Sequence, residues 1–169
     1  MERGSRSFRL RLPGTLASRE HALDVVAKSC RTSPAGDLND VSTPGEQEFE
    51  FQTVSAVGEA FNNIVLHGYR PGPPGEIEIE IESTSEQLLV LLMDTGHGFE
   101  PKRVEQPLGV LPESGMGIHI INAWMDEVEY SRGPPNTLRL VKFRRPQRST
   151  PPEAQTRRHD HGSDPNGQG

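Results

Sequence analysis

The apolar positions of the chain recur with two periods, one typical of strands and one typical of helices. Phe8, Leu10 and Leu12 alternate with arginines, whereas from Leu16 to Cys30 the apolar residues fall at helical spacing. We therefore predict a half-buried strand followed by a helix. Cys30 lies among apolar neighbours, and we expect it to be a small core residue.

A longer helix is predicted to follow. The segment Thr43-Pro44-Gly45-Glu46 has the pattern of a capping box, with proline at the first helical position. We expect this helix to run to about His67 and Gly68 to end it in a left-handed conformation. Its buried stripe would consist of Val54, Val57, Phe61, Ile64 and Val65.

The second half of the chain predicts further strands and one helix. Ile77, Ile79 and Ile81 alternate with glutamates, which indicates a strand with one wet face. Leu88 to Met93 is apolar throughout and predicts a central strand covered on both faces. The remaining elements are a loop from Thr95 to Ser114, a helix bearing Ile118, Ile121, Trp124 and Met125, and strands at Val128–Tyr130 and Leu138–Phe143. The order β-α-α-β-β-α-β-β predicts an α+β fold, a two-layer α/β sandwich with helices on one face of a mixed sheet.

Composition limits the function. The 169 residues suggest one domain, and the net charge of -6, from 24 acidic and 18 basic residues, argues against direct nucleic-acid binding. The lone Cys30 excludes an intrachain disulfide and fits a reducing compartment. No segment resembles a signal peptide or a membrane span. We therefore expect a cytoplasmic protein without membrane contact.

The C-terminal residues differ from the rest of the chain. Residues 146–169 contain no aliphatic or aromatic residue except Ala154, so they cannot bury enough surface to offset their chain entropy. We predict a folded domain over residues 1–145 and a disordered tail over residues 146–169.

Polar residues in the middle of the long helix form the first candidate site. Glu59 and Asn63 are four residues apart, so they share one face of the helix. An asparagine carbonyl oxygen is a suitable Mg²⁺ ligand, and a carboxylate one turn away could accept a proton from an attacking hydroxyl. For this segment alone, the alternative is a solvated helix face.

The turn after the predicted central strand, DTGHGF, forms the second candidate site. Asp94 ends the strand, and Gly96 and Gly98 carry no side chain, so a flat ligand can approach the backbone closely. An ionised aspartate only accepts hydrogen bonds, which suits the exocyclic amine of adenine. The pattern by itself also describes ordinary strand-to-loop turns.

Small residues before the next helix form the third candidate site. Gly115, Met116 and Gly117 follow Ser114, and free backbone N–H groups at a helix start attract phosphate. The segment is not a P-loop, because no Lys-Ser or Lys-Thr follows. An ordinary glycine-rich helix start is the alternative.

The order of these segments resembles that of the GHKL ATPases, the superfamily of gyrase, a class of heat-shock chaperones and the sensor histidine kinases. The strings NIVLHGY, EQPL, SGMG and WMDEVEY are most similar to the anti-sigma factor serine kinases of bacteria, over roughly residues 8 to 144. The resemblance implies a Bergerat-type ATPase fold that binds ATP and Mg²⁺.

The resemblance also implies roles for the candidate residues. Glu59 matches the catalytic base, Asn63 the Mg²⁺ ligand and Asp94 the acid that binds adenine. The nucleotide would further contact Gly96 and Gly98 on the adenine side, Gly115, Met116 and Gly117 on the phosphate side, and a lid from Glu100 to Glu113. His67, at the end of the long helix, is instead expected to complement the helix dipole.

The implied function is ATP-dependent phosphorylation of a serine on an anti-sigma factor antagonist protein, together with sequestration of a sigma factor. The resemblance is compatible with a homodimer. The main alternative is a switch that holds ATP or ADP and binds a partner without phosphate transfer. It stays open because Glu105 stands where sporulation-type members carry a basic residue, and Pro107 to Ser114 contains no Lys, Arg or Thr. The catalytic half of a two-component histidine kinase is disfavoured, because we expect no dimerising helix pair upstream and His21 is the only histidine before Glu59.

Overall fold

The structure, a computed structural model, describes residues 5–31, 43–69, 71–98 and 116–144. Its elements are β1 (Arg6–Pro13), α1 (Leu16–Arg31), α2 (Pro44–Asn63) with a π-helical turn (Ile64–Gly68), β2 (Glu76–Ser83), β3 (Gln87–Asp94), α3 (Met116–Trp124), β4 (Glu127–Ser131) and β5 (Asn136–Phe143). The order agrees with the prediction from the sequence, and the α+β class is confirmed.

The five described strands form one sheet in the order β1-β2-β3-β5-β4. All four pairings between them are antiparallel, so the prediction of a mixed sheet is wrong for this part of the chain. The reason is the position of β5. The crossover through α3 makes β4 run in the same direction as β3, but β5 lies between these two strands and pairs with both.

One face of the sheet carries the core. Ile77, Ile79 and Ile81 on β2 are buried, and their counterparts on β3 and β5 lie in the same hydrophobic cluster as Val57 and Phe61 of α2. Residues of α1 and α3 belong to this cluster too, so the helices pack on one face of the sheet as predicted. Burying each of these side chains contributes about 1.5–3 kcal/mol to the free energy of folding.

The central strand β3 is less covered than the sequence suggests. Its place between β2 and β5 is confirmed by the pairings. Leu88, Val90 and Leu92 are fully buried, whereas Leu89 and Leu91 on the outer face keep part of their surface exposed. The apolar run thus reflects a central position with one face buried against helices.

The start of α2 has the predicted capping box. The N–H of Glu46 donates to Thr43 Oγ1 at 3.3 Å, and the N–H of Thr43 donates to Glu46 Oε2 at 2.8 Å. The bond from the Thr43 backbone lowers the pKa of the Glu46 carboxyl. This interaction is local, and the sequence pattern alone was sufficient to locate it.

The end of α2 differs from the prediction. The α-helix stops at Asn63 and continues as the π-helical turn Ile64–Gly68. Gly68 is not left-handed, because Gly98 is the only glycine with positive φ among the described residues. Instead Gly68 ends the π-helical turn, and its carbonyl accepts a hydrogen bond of 2.7 Å from the N–H of His97 in a distant turn. π-Helical turns of this kind are frequent at functional sites.

Cys30 lies in the core as predicted, and burial raises the pKa of its thiol to about 12. No helix within the described ranges is long and apolar enough to cross a bilayer.

Candidate functional site

The acid at the end of β3 is held by hydrogen bonds on one of its two oxygens. Asp94 is 5% exposed. Its Oδ1 accepts from the N–H of Gly96 at 2.8 Å and from Nδ2 of Asn136 at 3.1 Å. Because both donors within the described part of the chain use Oδ1, Oδ2 is the oxygen that these residues leave for a ligand.

The turn after Asp94 is built from glycines for steric reasons. A Cβ on Gly96 would overlap the carbonyl of Gly68, so the turn packs directly on the end of α2. Gly98 has a φ of 76°, a conformation that side chains disfavour, and a Cβ there would lie 2.6 Å from the Tyr130 hydroxyl. The two glycines therefore allow a close backbone approach that no other residue would permit.

Asn136 is a site residue that the sequence analysis missed. It is the first residue of β5 and lies opposite Asp94 in the register of β3 and β5. Its side chain is 3% exposed and points to the same face of the sheet as that of Asp94. A signal was present, because Asn136 is an asparagine at the start of a strand whose inward positions are otherwise mostly apolar. To connect Asn136 with Asp94 from that signal requires the register between β3 and β5, which the sequence does not show.

Asn63, at the end of the regular part of α2, has a polar atom without a partner. Its Nδ2 is buried and has no hydrogen-bond partner among the residues that the structure describes. A buried unsatisfied amide costs about 1–3 kcal/mol, and such groups in native proteins are often completed by a ligand, an ion or water. The π-helical turn begins directly after this residue.

Glu59 lies one turn before Asn63 and faces α3. A Cβ on Gly117 would lie 2.7 Å from Glu59 Oε2. Both residues are partly exposed. The Glu59 carboxylate thus lies next to the first turn of α3 and keeps contact with solvent, and its role in the site stays a prediction.

The predicted site residues thus gather along the C-terminal half of α2. Glu59 lies against Gly117, and Gly68 lies against Gly96 and the Asp94 turn. Met116 is exposed at the start of α3. Gly115 and the predicted lid from Glu100 to Glu113, with Glu105, lie outside the described residues.

His67 is exposed near the end of the π-helical turn, where the sequence predicted a residue that complements the helix dipole. It is the basic residue of that last turn. Within the described ranges no hydrogen bond joins its side chain to the site described above, and its role as a dipole partner stays a prediction.

The arrangement has the chemistry to hold a nucleotide. The free oxygen of Asp94 offers an acceptor to an exocyclic amine, and the glycine turn admits a flat base. The unsatisfied amide of Asn63 offers a donor, or a carbonyl oxygen if the amide turns over, to phosphate or Mg²⁺. These residues therefore fit ATP with Mg²⁺.

Comparison with known proteins agrees with this geometry. Residues 18–142 match the histidine kinase-like ATPase domain, and the chain belongs to that family. It is similar to the serine-protein kinase RsbW of Bacillus cereus (strain AH187), Bacillus thuringiensis subsp. konkukian (strain 97-27) and Bacillus mycoides (strain KBAB4), each 30% identical over 97 residues. The matched region covers 52% of this chain and 60% of each relative. The family resemblance drawn from the sequence is thereby confirmed.

Proposed function

We propose that the chain binds ATP together with Mg²⁺ and acts as an anti-sigma factor with protein serine kinase activity. The observation that carries the proposal is the pair formed by a buried acid with one free oxygen, Asp94, and a buried unsatisfied amide, Asn63, beside the same end of α2. Membership of the ATPase family and the names of the relatives support it.

Each site residue has a proposed role in nucleotide binding. Asp94 accepts a hydrogen bond from the adenine amine, and Gly96 and Gly98 let the base approach the backbone. Asn63 binds Mg²⁺, which prefers few protein ligands plus phosphate oxygens and water. The proposed contacts to the phosphates are Gly115, Met116 and Gly117, at and next to the start of α3.

Glu59 is the proposed general base. It accepts the proton of a serine hydroxyl while the serine oxygen forms a bond to the γ-phosphorus and the bond from that phosphorus to the oxygen of ADP breaks. When bound, Mg²⁺ neutralises charge on the phosphate oxygens. The position of Glu59 one turn from Asn63, against the first turn of α3, supports this assignment.

The proposed partners are a sigma factor, which the chain sequesters, and an anti-sigma factor antagonist protein, which provides the serine. Both partners come from the resemblance, and relatives named serine-protein kinase RsbW support the transfer of phosphate to a serine. We further propose that the chain forms a homodimer and is cytoplasmic. Its single cysteine is compatible with the reducing environment of that compartment.

The test is phosphate transfer in a purified system. The protein is incubated with γ-labelled ATP, Mg²⁺ and an antagonist protein captured from its native cytoplasm. Label on a serine of the antagonist is the expected result. If the protein binds ATP and captures the partner but transfers no label, the second candidate is favoured, a nucleotide-dependent binding switch. The absence of Lys, Arg and Thr from Pro107 to Ser114 also favours that candidate.

A further inference from the structure

Asn136 joins three separate parts of the candidate site. Its Nδ2 donates to Asp94 Oδ1 at 3.1 Å and to the carbonyl of Gly96 at 3.0 Å. Its Oδ1 accepts from the N–H of Gly133 at 3.3 Å. The side chain thus connects the end of β3, the glycine turn and the turn between β4 and β5, and both of its N–H bonds are used inside the protein.

The direction of the Asn136 amide follows from these partners. If the amide were turned over, its oxygen would face the carboxylate of Asp94 and the carbonyl of Gly96, so that only acceptors would meet. The amide must therefore donate to Asp94. A buried network in which each group has a partner is rigid, and removal of one member leaves the others unsatisfied.

The same two turns are joined a second time. Arg132 Nη2 donates to the carbonyl of His97 at 3.1 Å, beside the bond between Gly133 and Asn136. The turn between β4 and β5 is therefore fastened to the glycine turn at two points. The acid and the glycine turn are thus held from the β4–β5 side by these bonds, in addition to the packing of the glycine turn on Gly68.

We propose that Asn136 is the positioning residue that sets a preference for purines with a 6-amino group at this site. The inference rests on the proposed nucleotide-binding function and specifies its selectivity. By occupying Oδ1, Asn136 directs the free Oδ2 of Asp94 toward the base as an acceptor. A 6-amino group matches this acceptor, whereas the 6-oxo group of hypoxanthine or guanine would place two acceptors against each other.

The experiment measures dissociation constants for ATP and inosine triphosphate with Mg²⁺ for the parent, Asn136→Leu and Leu140→Ala. Leucine has the same number of side-chain heavy atoms and the same branch point as asparagine, although it is bulkier, and it cannot donate to Asp94. We expect the parent to prefer ATP, and Asn136→Leu to reduce the ratio of the two constants about tenfold or more, since hydrogen bonds to charged groups are strong. Leu140 is buried farther along β5, and Leu140→Ala should lower the melting temperature but preserve the ratio.

A second variant keeps the test valid if Asn136→Leu does not fold. In Asn136→Asp the introduced carboxyl can donate to Asp94 only while it is protonated, and two carboxylates this close retain one proton to a higher pH than either alone. We expect this variant to keep the ATP preference at about pH 5.5 and to lose it at about pH 8.5. If residue 136 acted only through the shape of its side chain, the Asn136→Asp variant would show no such pH dependence.

Other titratable groups also face this cluster, and the parent protein controls for them. Tyr69 interacts with Asp94, the Tyr130 hydroxyl lies near Gly98, and the Arg132 guanidinium donates to the backbone carbonyl of His97, whose imidazole is close in sequence to the cluster. The parent retains all four, so its ratio of dissociation constants at both pH values gives their combined effect.

The outcomes separate this inference from the proposed function. If the parent binds ATP and prefers it, but Asn136→Leu and Asn136→Asp keep the same ratio at both pH values, Asn136 does not set the preference. If the parent binds ATP and inosine triphosphate equally, the inference is also overturned. If the parent binds neither nucleotide, the proposed nucleotide-binding function is wrong, and the inference that rests on it is wrong as well.

Discussion

The carboxylate of Glu59 on α2 lies against the backbone of Gly117 in the first turn of α3. A Cβ built on Gly117 would lie 2.7 Å from Oε2 of Glu59 and 3.5 Å from its Cβ. The helices therefore approach each other at the residue to which we assign the catalytic role. The missing side chain at position 117 is what leaves room for that carboxylate.

Gly117→Ala should impair catalysis more than stability. The new methyl group would displace the end of the flexible Glu59 side chain, and a misplacement of about 1 Å can reduce a rate about 10²-fold. Alanine also favours a helix by about 0.5–1 kcal/mol over glycine, so the melting temperature should change little. Phosphate transfer and thermal unfolding are measured on the same protein.

Gly45→Ala is the matched control for Gly117→Ala. Gly45 lies in the first turn of α2, and a Cβ there would meet nothing within 4 Å. We expect unchanged transfer in this variant. A transfer rate in Gly117→Ala equal to that of the parent would show that the contact between Glu59 and residue 117 does not matter for the reaction.

Glu59→Gln tests the proposed base directly. Glutamine keeps the shape of the side chain but cannot accept the serine proton, so transfer should fall by roughly 10²–10⁴-fold. Nucleotide affinity should persist, because Asp94 and Asn63 are unchanged. Partner capture should persist as well. Equal transfer rates in variant and parent, with affinity measured on the same preparation, would remove the base assignment.

The features that the sequence predicted correctly depend on neighbouring residues, and those it missed depend on contacts across the fold. The capping box of Thr43 and Glu46 spans only a few positions, and the structure confirms it. Gly68 differs from the prediction, and its carbonyl accepts from the N–H of His97, 29 positions later, a contact that a local pattern does not contain. Asn136 was missed because its link to Asp94 requires the pairing of β3 with β5.

The order and type of the elements were predictable because they too depend on residues that are close in sequence. Periodicity reports which face of a strand or helix is buried, and it gave the alternation of Ile77, Ile79 and Ile81 correctly. Periodicity does not report which strands are neighbours. The insertion of β5 between β3 and β4, which makes the described sheet antiparallel, could not be derived from it.

Asn63→Ala should abolish Mg²⁺-dependent nucleotide binding. The change removes the proposed metal ligand and also the unsatisfied Nδ2, so the protein without ligand should not be destabilised by a lost hydrogen bond. The measurement is the shift in melting temperature caused by ATP, with and without Mg²⁺. An ATP-induced shift as large as that of the parent, in the presence of Mg²⁺, would exclude the metal role.

Arg144, near the predicted end of the folded domain, ties β5 to several other elements. Its guanidinium donates to the carbonyls of Cys30 and Thr84 at 3.0 and 3.1 Å and to Ser83 Oγ at 3.1 Å. It also lies 4.7 Å above the ring of Phe49 on α2. Burial lowers the pKa of the guanidinium, so its hydrogen bonds compensate for a real cost of desolvation.

Deletion of residues 146–169 should therefore leave stability and nucleotide affinity unchanged, whereas a deletion that also removes Arg144 should not. The first expectation follows from composition, because that segment has no aliphatic or aromatic residue except Ala154 and can bury little apolar surface. The second follows from the contacts of Arg144, whose loss would remove hydrogen bonds to two partly buried carbonyl groups and cost about 2–4 kcal/mol of the free energy of unfolding. Chains ending at residues 145 and 143 are compared with the full chain by urea unfolding and by ATP titration. A clear loss of stability in the chain ending at residue 145 would show that the segment contributes to the fold. Equal stability of the two truncated chains would show that the contacts of Arg144 contribute little.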